Sequence, residues 1–228
     1  MSTKPINIGV VGVGHLGIHH VKHYAAIPNV NLLGIYDPDI KRSKYVAKKY
    51  KTIVFQNLKK LIKDVDALSI VTPTPDHFKT AKLCLKNKKH VFIEKPITVT
   101  LEEADKLLKL SKSNSTIIQV GHIERLNPAL MALEPYDINP KFIEIQRLAP
   151  YTVRGTDVPV VLDKMIHDID ILLSLVKSEV SSLEATGMSI ITDSLDMAHA
   201  RIQFKNGTTA SLMSSRIAQH DVRKIKLF

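Results

Sequence analysis

With 228 residues, 44% of them hydrophobic and 24% charged, the chain has the composition of a folded protein large enough for two domains. No apolar run approaches the ~18 residues that cross a bilayer, and a single cysteine, Cys84, excludes a disulfide framework and a cysteine-based metal site. The net charge of +10 comes from lysines scattered along amphipathic segments, among them Lys41, Lys44, Lys48, Lys59, Lys82 and Lys106. That pattern is a solvated surface, not the clustered footprint of a nucleic-acid binder. Neither nucleic acid nor membrane is therefore expected as a partner. The opening residues, Met1-Ser2-Thr3-Lys4-Pro5, lack a secretion-signal pattern, so a cytoplasmic location is expected. Cys84, between Leu83 and Leu85, is expected to be a buried structural thiol.

In chain order, Ile6–Val11 reads as a short strand that ends at glycines, and Ile18–Ile27 has helical spacing up to Pro28. Further strands are predicted at Val30–Tyr36, Thr52–Phe55, Ala67–Val71, His90–Ile93 and Thr116–Val120. Helices are predicted at Ile40–Tyr50, Leu58–Ile62, Asp76–Asn87 and Leu101–Lys112. Strict alternation of strands and helices indicates a doubly wound parallel sheet covered on both faces, so residues 1–121 are assigned to a dinucleotide-binding Rossmann domain. Residues 122–228 form the second domain, for substrate or oligomer contacts. Prolines punctuate residues 122–159, with a strand at Phe142–Leu148 among them and a helix following at Val160–Val176. Strands at Leu183–Ile191, Met197–Phe204, Thr208–Ser215 and Val222–Phe228 complete an α+β unit with an antiparallel sheet. Lys205-Asn206-Gly207-Thr208 predicts a tight type I′ hairpin.

The chemistry starts at Gly12-Val13-Gly14-His15-Leu16-Gly17, which follows a strand and opens a helix. Gly12 makes the turn, Gly14 admits a pyrophosphate and Gly17 lets helix and strand pack closely. Asp37, 20 residues after Gly17, is placed to accept bonds from ribose hydroxyls and to repel a 2′-phosphate. NAD is the expected cofactor. Arg42 keeps NADP open as the lesser alternative. His15, His19, His20 and His23 have no completing Asp, Glu or Cys nearby, so no metal site is expected.

Glu94-Lys95-Pro96 follows an apolar strand, which brings Lys95 to the carboxyl edge of the sheet where ligands of such folds bind. On the Val160–Val176 helix, Leu162, Ile166, Ile169, Leu173 and Val176 form an apolar stripe. Asp163, His167, Asp170 and Ser174 form a polar one. Asp163 is one turn from His167, the geometry of a general base with its supporting carboxylate or of an ordinary exposed pair.

Together these residues resemble the Gfo/Idh/MocA family of sugar and cyclitol dehydrogenases. The resemblance rests on the glycine loop with Asp37, Val71-Thr72-Pro73-Thr74-Pro75-Asp76-His77, Glu94-Lys95-Pro96, the run from Gly121 to Pro128, and Asp163-Lys164-Met165-Ile166-His167-Asp168. It implies that Thr72, Pro73, His77 and Glu94 join Gly12, Gly14, His15, Leu16, Gly17 and Asp37 around the cofactor. Lys95 is implied to contact the reacting hydroxyl, Asp163 and His167 to form the acid/base pair, and Arg125 and Asn127 to border the substrate cleft. The implied reaction is NAD-dependent oxidation of a secondary sugar hydroxyl, without a metal, in a homo-oligomer. The stretches around Arg125 and His167 resemble most the members that oxidise the 3-hydroxyl of UDP-N-acetylglucosamine on the way to an amide-linked lipid A. A dehydrogenase of free sugars or inositol and a catalytically silent NAD-binding sensor are the alternatives. Relative to the family, the second domain reads as C-terminally shortened.

Overall fold

The computed structural model describes residues 4–152 and 158–228; the opening Met1-Ser2-Thr3 and part of the proline-punctuated stretch lie outside the described residues. The chain divides into two compact units, Met1–Gly121 and His122–Phe228.

The first unit alternates β1 (Ile6–Val11), α1 (His15–Tyr24), β2 (Val30–Tyr36), α2 (Ile40–Tyr50), β3 (Ile53–Val54), α3 (Leu58–Asp64) and β4 (Ala67–Ile70). It continues through α4 (His77–Lys86), β5 (His90–Ile93), α5 (Leu101–Ser113) and β6 (Ile118–Val120). The strands form one parallel sheet in the order β3-β2-β1-β4-β5-β6. Order reverses between β1 and β4, and the carboxyl edge at such a switch point is the natural ligand crevice. Its apolar strands are sandwiched between two layers. Leu61, Ile62, Leu85 and Leu107 pack with Leu68, Ile70, Val91 and Ile93, while Val21 and Val46 pack with Val10 and Ile35. Cys84 lies in the first layer, and burial pushes its thiol up to about 12, which makes it inert.

α1 stops at Tyr24, short of the expected Ile27. Ile27 precedes Pro28, whose ring disfavours helical backbone before it, and Ala26 N–H already bonds His23 C=O at 2.9 Å in a tightened last turn.

The second unit holds α6 (Pro128–Met131), β7 (Phe142–Leu148), α7 (Ile166–Leu175), β8 (Val180–Met188), β9 (Met197–Phe204), β10 (Thr209–Ser215) and β11 (Val222–Leu227). Its sheet has the order β11-β7-β10-β9-β8. All pairs run antiparallel as expected except β7 with β10, which are parallel. A parallel pair requires a crossover connection, and the long segment containing α7 supplies it.

Three local expectations are corrected. The helix begins with a π-helical segment, Val161–Met165, before α7. Met165, Asp168, Ile171 and Leu172 are buried, and of the expected apolar stripe Ile169 and Val176 pack with the core whereas Leu173 is exposed. β8 begins and ends three residues earlier than expected, because the amides of Ile190, Ile191 and Thr192 turn to Asp196 Oδ2 at 2.8, 2.6 and 2.9 Å and leave the ladder. At the β9–β10 hairpin only Gly207 has positive φ, at 87°, and Gly207 N–H bonds Phe204 C=O at 3.0 Å. The turn is therefore of type I followed by a left-handed glycine, not type I′.

Candidate active site

The three loop glycines have distinct duties. Gly12 has φ +88°, and a Cβ there would stand 2.6 Å from the Val71 carbonyl oxygen. A Cβ on Gly17 would lie 2.0 Å from the Gly12 carbonyl oxygen, so that position has no room for a side chain. At Gly14 a Cβ would meet only Arg42 Nη1, 3.7 Å away, which leaves this face open for a diphosphate to approach. Gly14 caps α1 with no side-chain bond, so the first-turn amides and the positive end of the helix dipole are available to an anion. His15 and Leu16 are exposed beside them.

Asp37, buried at the end of β2, binds the loop to the next turn. Its Oδ2 accepts Val13 N–H at 2.8 Å and its Oδ1 accepts Asp39 N–H at 2.9 Å. Gly12 N–H also bonds Tyr36 C=O at 2.8 Å. Across the switch point, Thr72 Oγ1 is buried with no hydrogen-bond partner among the described residues, as expected of a hydroxyl awaiting a ligand. These features fit a bound dinucleotide.

His77, expected to border the cofactor, ties together the loops at this edge of the sheet. It is fully buried, and its Nδ1 and Nε2 lie 2.8 and 2.9 Å from the carbonyl oxygens of Pro96 and Thr72. It staples the loop after β4 to the loop after β5, while Pro73 stands exposed on the first of these.

Glu94 and Lys95 emerge together at the carboxyl end of β5. Glu94 Oε1 is 3.0 Å from His20 Nε2, and Oε2 accepts Lys95 N–H at 3.2 Å. His20 Nδ1 is 2.8 Å from Ser69 Oγ on β4. An ionised carboxylate only accepts, so Nε2 of His20 carries the proton toward it. Burial pulls the Glu94 carboxyl upward, but the His20 bond and charge, with Lys95, outweigh it and hold it below the usual carboxylate range. Sequence reasoning weighed His20 only as a metal ligand, without a completing Asp, Glu or Cys nearby. Only its one-turn offset from Gly17 along α1 hinted at an inward face.

In the second unit, Asp163 lies in the π segment and His167 at the start of α7; both are partly buried. The other acidic residues of α7 face arginines. Arg125 makes a fork to Asp170 at 2.6 and 2.7 Å, and Arg147 makes one to Asp168 at 2.7 to 3.0 Å. Burial lifts the Asp168 carboxyl above its usual range despite that guanidinium. Glu124 adds bonds to Arg147 at 3.4 Å and to Arg223 at 2.9 Å. Burial pulls the Glu124 carboxyl upward, yet Asn127, the two arginines and His167 outweigh it and keep it below the usual range.

Arg125 and Asn127 are thus engaged inside the second unit. Asn127 Oδ1 accepts Ala129 N–H at 3.0 Å as the cap of α6, and its Nδ2 donates to Glu124 at 3.3 Å. Ser174 Oγ bonds back to Ile171 C=O at 2.7 Å. Of the expected polar stripe, Asp170 ties the helix to Arg125 and only Ser174 bonds back within the helix. Glu124, Arg147 and Asp168, which bond to one another, were missed because arginine pairing across elements leaves no spacing signal.

Among the described residues no cluster of His, Cys, Asp and Glu could hold a metal ion, and no helix is long and apolar enough to cross a membrane. A parallel six-stranded sheet with an uncapped glycine turn at its switch point and a buried aspartate at the next strand end defines a dinucleotide-binding oxidoreductase domain. The chain belongs to the Gfo/Idh/MocA oxidoreductase family: residues 6–122 match its NAD-binding Rossmann fold and residues 149–228 its C-terminal domain. It is 39% identical over 221 residues to UDP-N-acetylglucosamine 3-dehydrogenase of Acidithiobacillus ferrooxidans, covering 96% of this chain and 70% of that protein. A solved structure of the Acidithiobacillus ferrooxidans enzyme superposes with a TM-score of 0.93 at 38% identity, over 99% of this chain and 75% of that one. The scyllo-inositol 2-dehydrogenase (NAD(+)) of Bacillus subtilis is 27% identical over 239 residues, covering 96% of this chain and 70% of that protein.

Proposed function

We propose that the protein oxidises a secondary hydroxyl of a sugar with NAD, and that its substrate is UDP-N-acetylglucosamine, converted to the 3-keto sugar. The observation that carries this is the 39% identity to the Acidithiobacillus ferrooxidans enzyme across 96% of the chain. Lys95, at the strand end where ligands of open α/β sheets bind, hydrogen-bonds the reacting hydroxyl. His167 takes the hydroxyl proton as general base, and Asp163 supports the resulting imidazolium. The glycine loop and Asp37 would hold NAD, which would supply the acceptor for the carbinol hydrogen as hydride, so that the alcohol becomes a ketone. Glu94 and His77 hold the two strand-end loops in place for Lys95. Arg125 and Asn127 act on the substrate side indirectly, by fixing the segment that precedes α6. The reading extends to a cytoplasmic homo-oligomer that supplies a keto sugar for amination toward an amide-linked lipid A.

A second reading, an inositol dehydrogenase, is favoured by the Bacillus subtilis relative. Purified protein is assayed for NADH formation with UDP-N-acetylglucosamine, free N-acetylglucosamine and myo-inositol. Turnover of the nucleotide sugar, inhibited by UDP, is the expected result, and His167→Asn lowers kcat by about 10²–10⁴ with NAD binding retained. NAD binding without turnover of any substrate sinks the enzyme assignment in favour of a silent sensor. Turnover of inositol alone installs the second reading.

A further inference from the structure

The cap of α2 lies beside the place where a dinucleotide fold receives the adenosine ribose. Asp39 Oδ1 accepts Arg42 N–H at 3.0 Å, and Asp39 Oδ2 is 3.1 Å from Arg42 Nη2. Arg42 Nη1 is 3.6 Å from Asp37 Oδ2. The same Nη1 is the atom that a Cβ on Gly14 would meet, so the guanidinium overhangs the open glycine of the phosphate loop. Its side chain is 46% exposed and available to a ligand. Asp37 cannot swing away, because both its oxygens hold backbone amides. Two carboxylates face one guanidinium here, and the excess negative charge opposes a further phosphate.

We propose that Asp39 sets the cofactor preference: by pairing with Arg42 it withholds the guanidinium from an adenosine 2′-phosphate, so that Arg42 is a latent NADP receptor. The inference rests on the NAD-binding assignment and goes beyond it. Asp37 alone repels a 2′-phosphate through its charge. Asp39 adds a second effect, since it holds Arg42 Nη2, one of the two outer nitrogens with which the guanidinium would grip a phosphate. Freed from Asp39, Arg42 keeps its place above Gly14 and gains a face for the phosphate. NAD, which brings only a hydroxyl at that position, is indifferent to the change.

The test uses equilibrium binding of NAD and of NADP to the purified chain by titration calorimetry. The variants are Asp39→Asn, Asp39→Ser, Arg42→Ala and the double variant Asp39→Asn/Arg42→Ala. Asn and Ser both serve well as helix N-caps, so α2 keeps its start while the charge is lost. The expected result is a gain of about fivefold in NADP affinity relative to NAD in both Asp39 variants, the scale of one exposed ion pair. The double variant returns to the wild-type ratio. An unchanged ratio in both Asp39 variants overturns the proposal, and so does a gain that survives loss of Arg42, which reflects simple removal of negative charge. Failure of the wild type to bind NAD overturns the cofactor assignment itself, and is recognised separately because NAD is titrated alone.

Discussion

The imidazole of His20 lies 3.0 Å from the carboxylate of Glu94, whose other oxygen holds the amide of Lys95. A residue of the first helix thereby fixes the strand end that presents the proposed hydroxyl-binding lysine. Gly121 belongs to the same arrangement, since a Cβ there would stand 3.0 Å from both Glu94 oxygens.

Replacing His20 with Leu leaves a half-buried carboxylate without its partner. We expect a loss of about 1–3 kcal/mol in unfolding free energy, measured by urea denaturation at neutral pH. The Glu94 carboxyl is held below its usual range, so its contribution is present above the unfolded value of ~4.3 and is lost as pH falls through the folded one. The gap between wild type and His20→Leu therefore narrows in acid. A gap that stays constant from neutral pH to the acid limb contradicts the assignment.

Gly17→Ala forces a methyl to within 2.0 Å of a backbone oxygen that cannot rotate away. A cost of ~1–3 kcal/mol is expected from such overpacking, together with NAD binding weakened by at least about tenfold. Thermal denaturation and calorimetric titration measure the two effects, and a variant with unchanged affinity shows that the loop does not grip the diphosphate.

Arg147 and Asp168 are both buried and pair at 2.7 Å. Arg147→Met strands a buried carboxylate, with an expected cost of ~3–5 kcal/mol. The double variant Arg147→Met/Asp168→Leu recovers most of it, because an apolar pair of similar volume needs no compensation. Denaturation midpoints of the two variants check this, and equal loss in both refutes it.

Asp196 gathers three backbone amides and the Thr192 hydroxyl, bonded to its Oδ1 at 2.7 Å. Burial opposes ionisation, but these donors outweigh it and hold the carboxyl well below the usual aspartate range. Its stabilising effect is therefore present above ~3.9 and declines as pH falls toward the folded value. Asp196→Ala is expected to lower Tm at neutral pH and to flatten the acid limb of the Tm profile below pH ~4. Parallel acid limbs for the two proteins would falsify this role.

Much of the first unit was legible because its signals are local. β-branched runs, the glycine spacing and Asp37 each act through neighbouring backbone, and a parallel α/β sheet repeats one such unit. The Asn206-Gly207 turn was located for the same reason, although its type was not, since only Gly207 takes positive φ. Of the α7 stripe, Ile169 and Val176 pack in the core while Leu173 is exposed, and the π turn that precedes α7 leaves no mark in composition.

By itself the sequence determined the order of elements, the NAD-binding loop and the candidate chemistry at Lys95, Asp163 and His167. Tertiary structure alone decided which charges those residues live among. Whether His20 meets Glu94, and whether Asp168 and Asp170 face solvent or arginine, depend on burial and on partners brought together by folding. Those pairings join residues up to 74 positions apart, as in His20 and Glu94. Periodicity carries no information over that distance, whereas the desolvation of a charge makes a partner obligatory once the chain has folded.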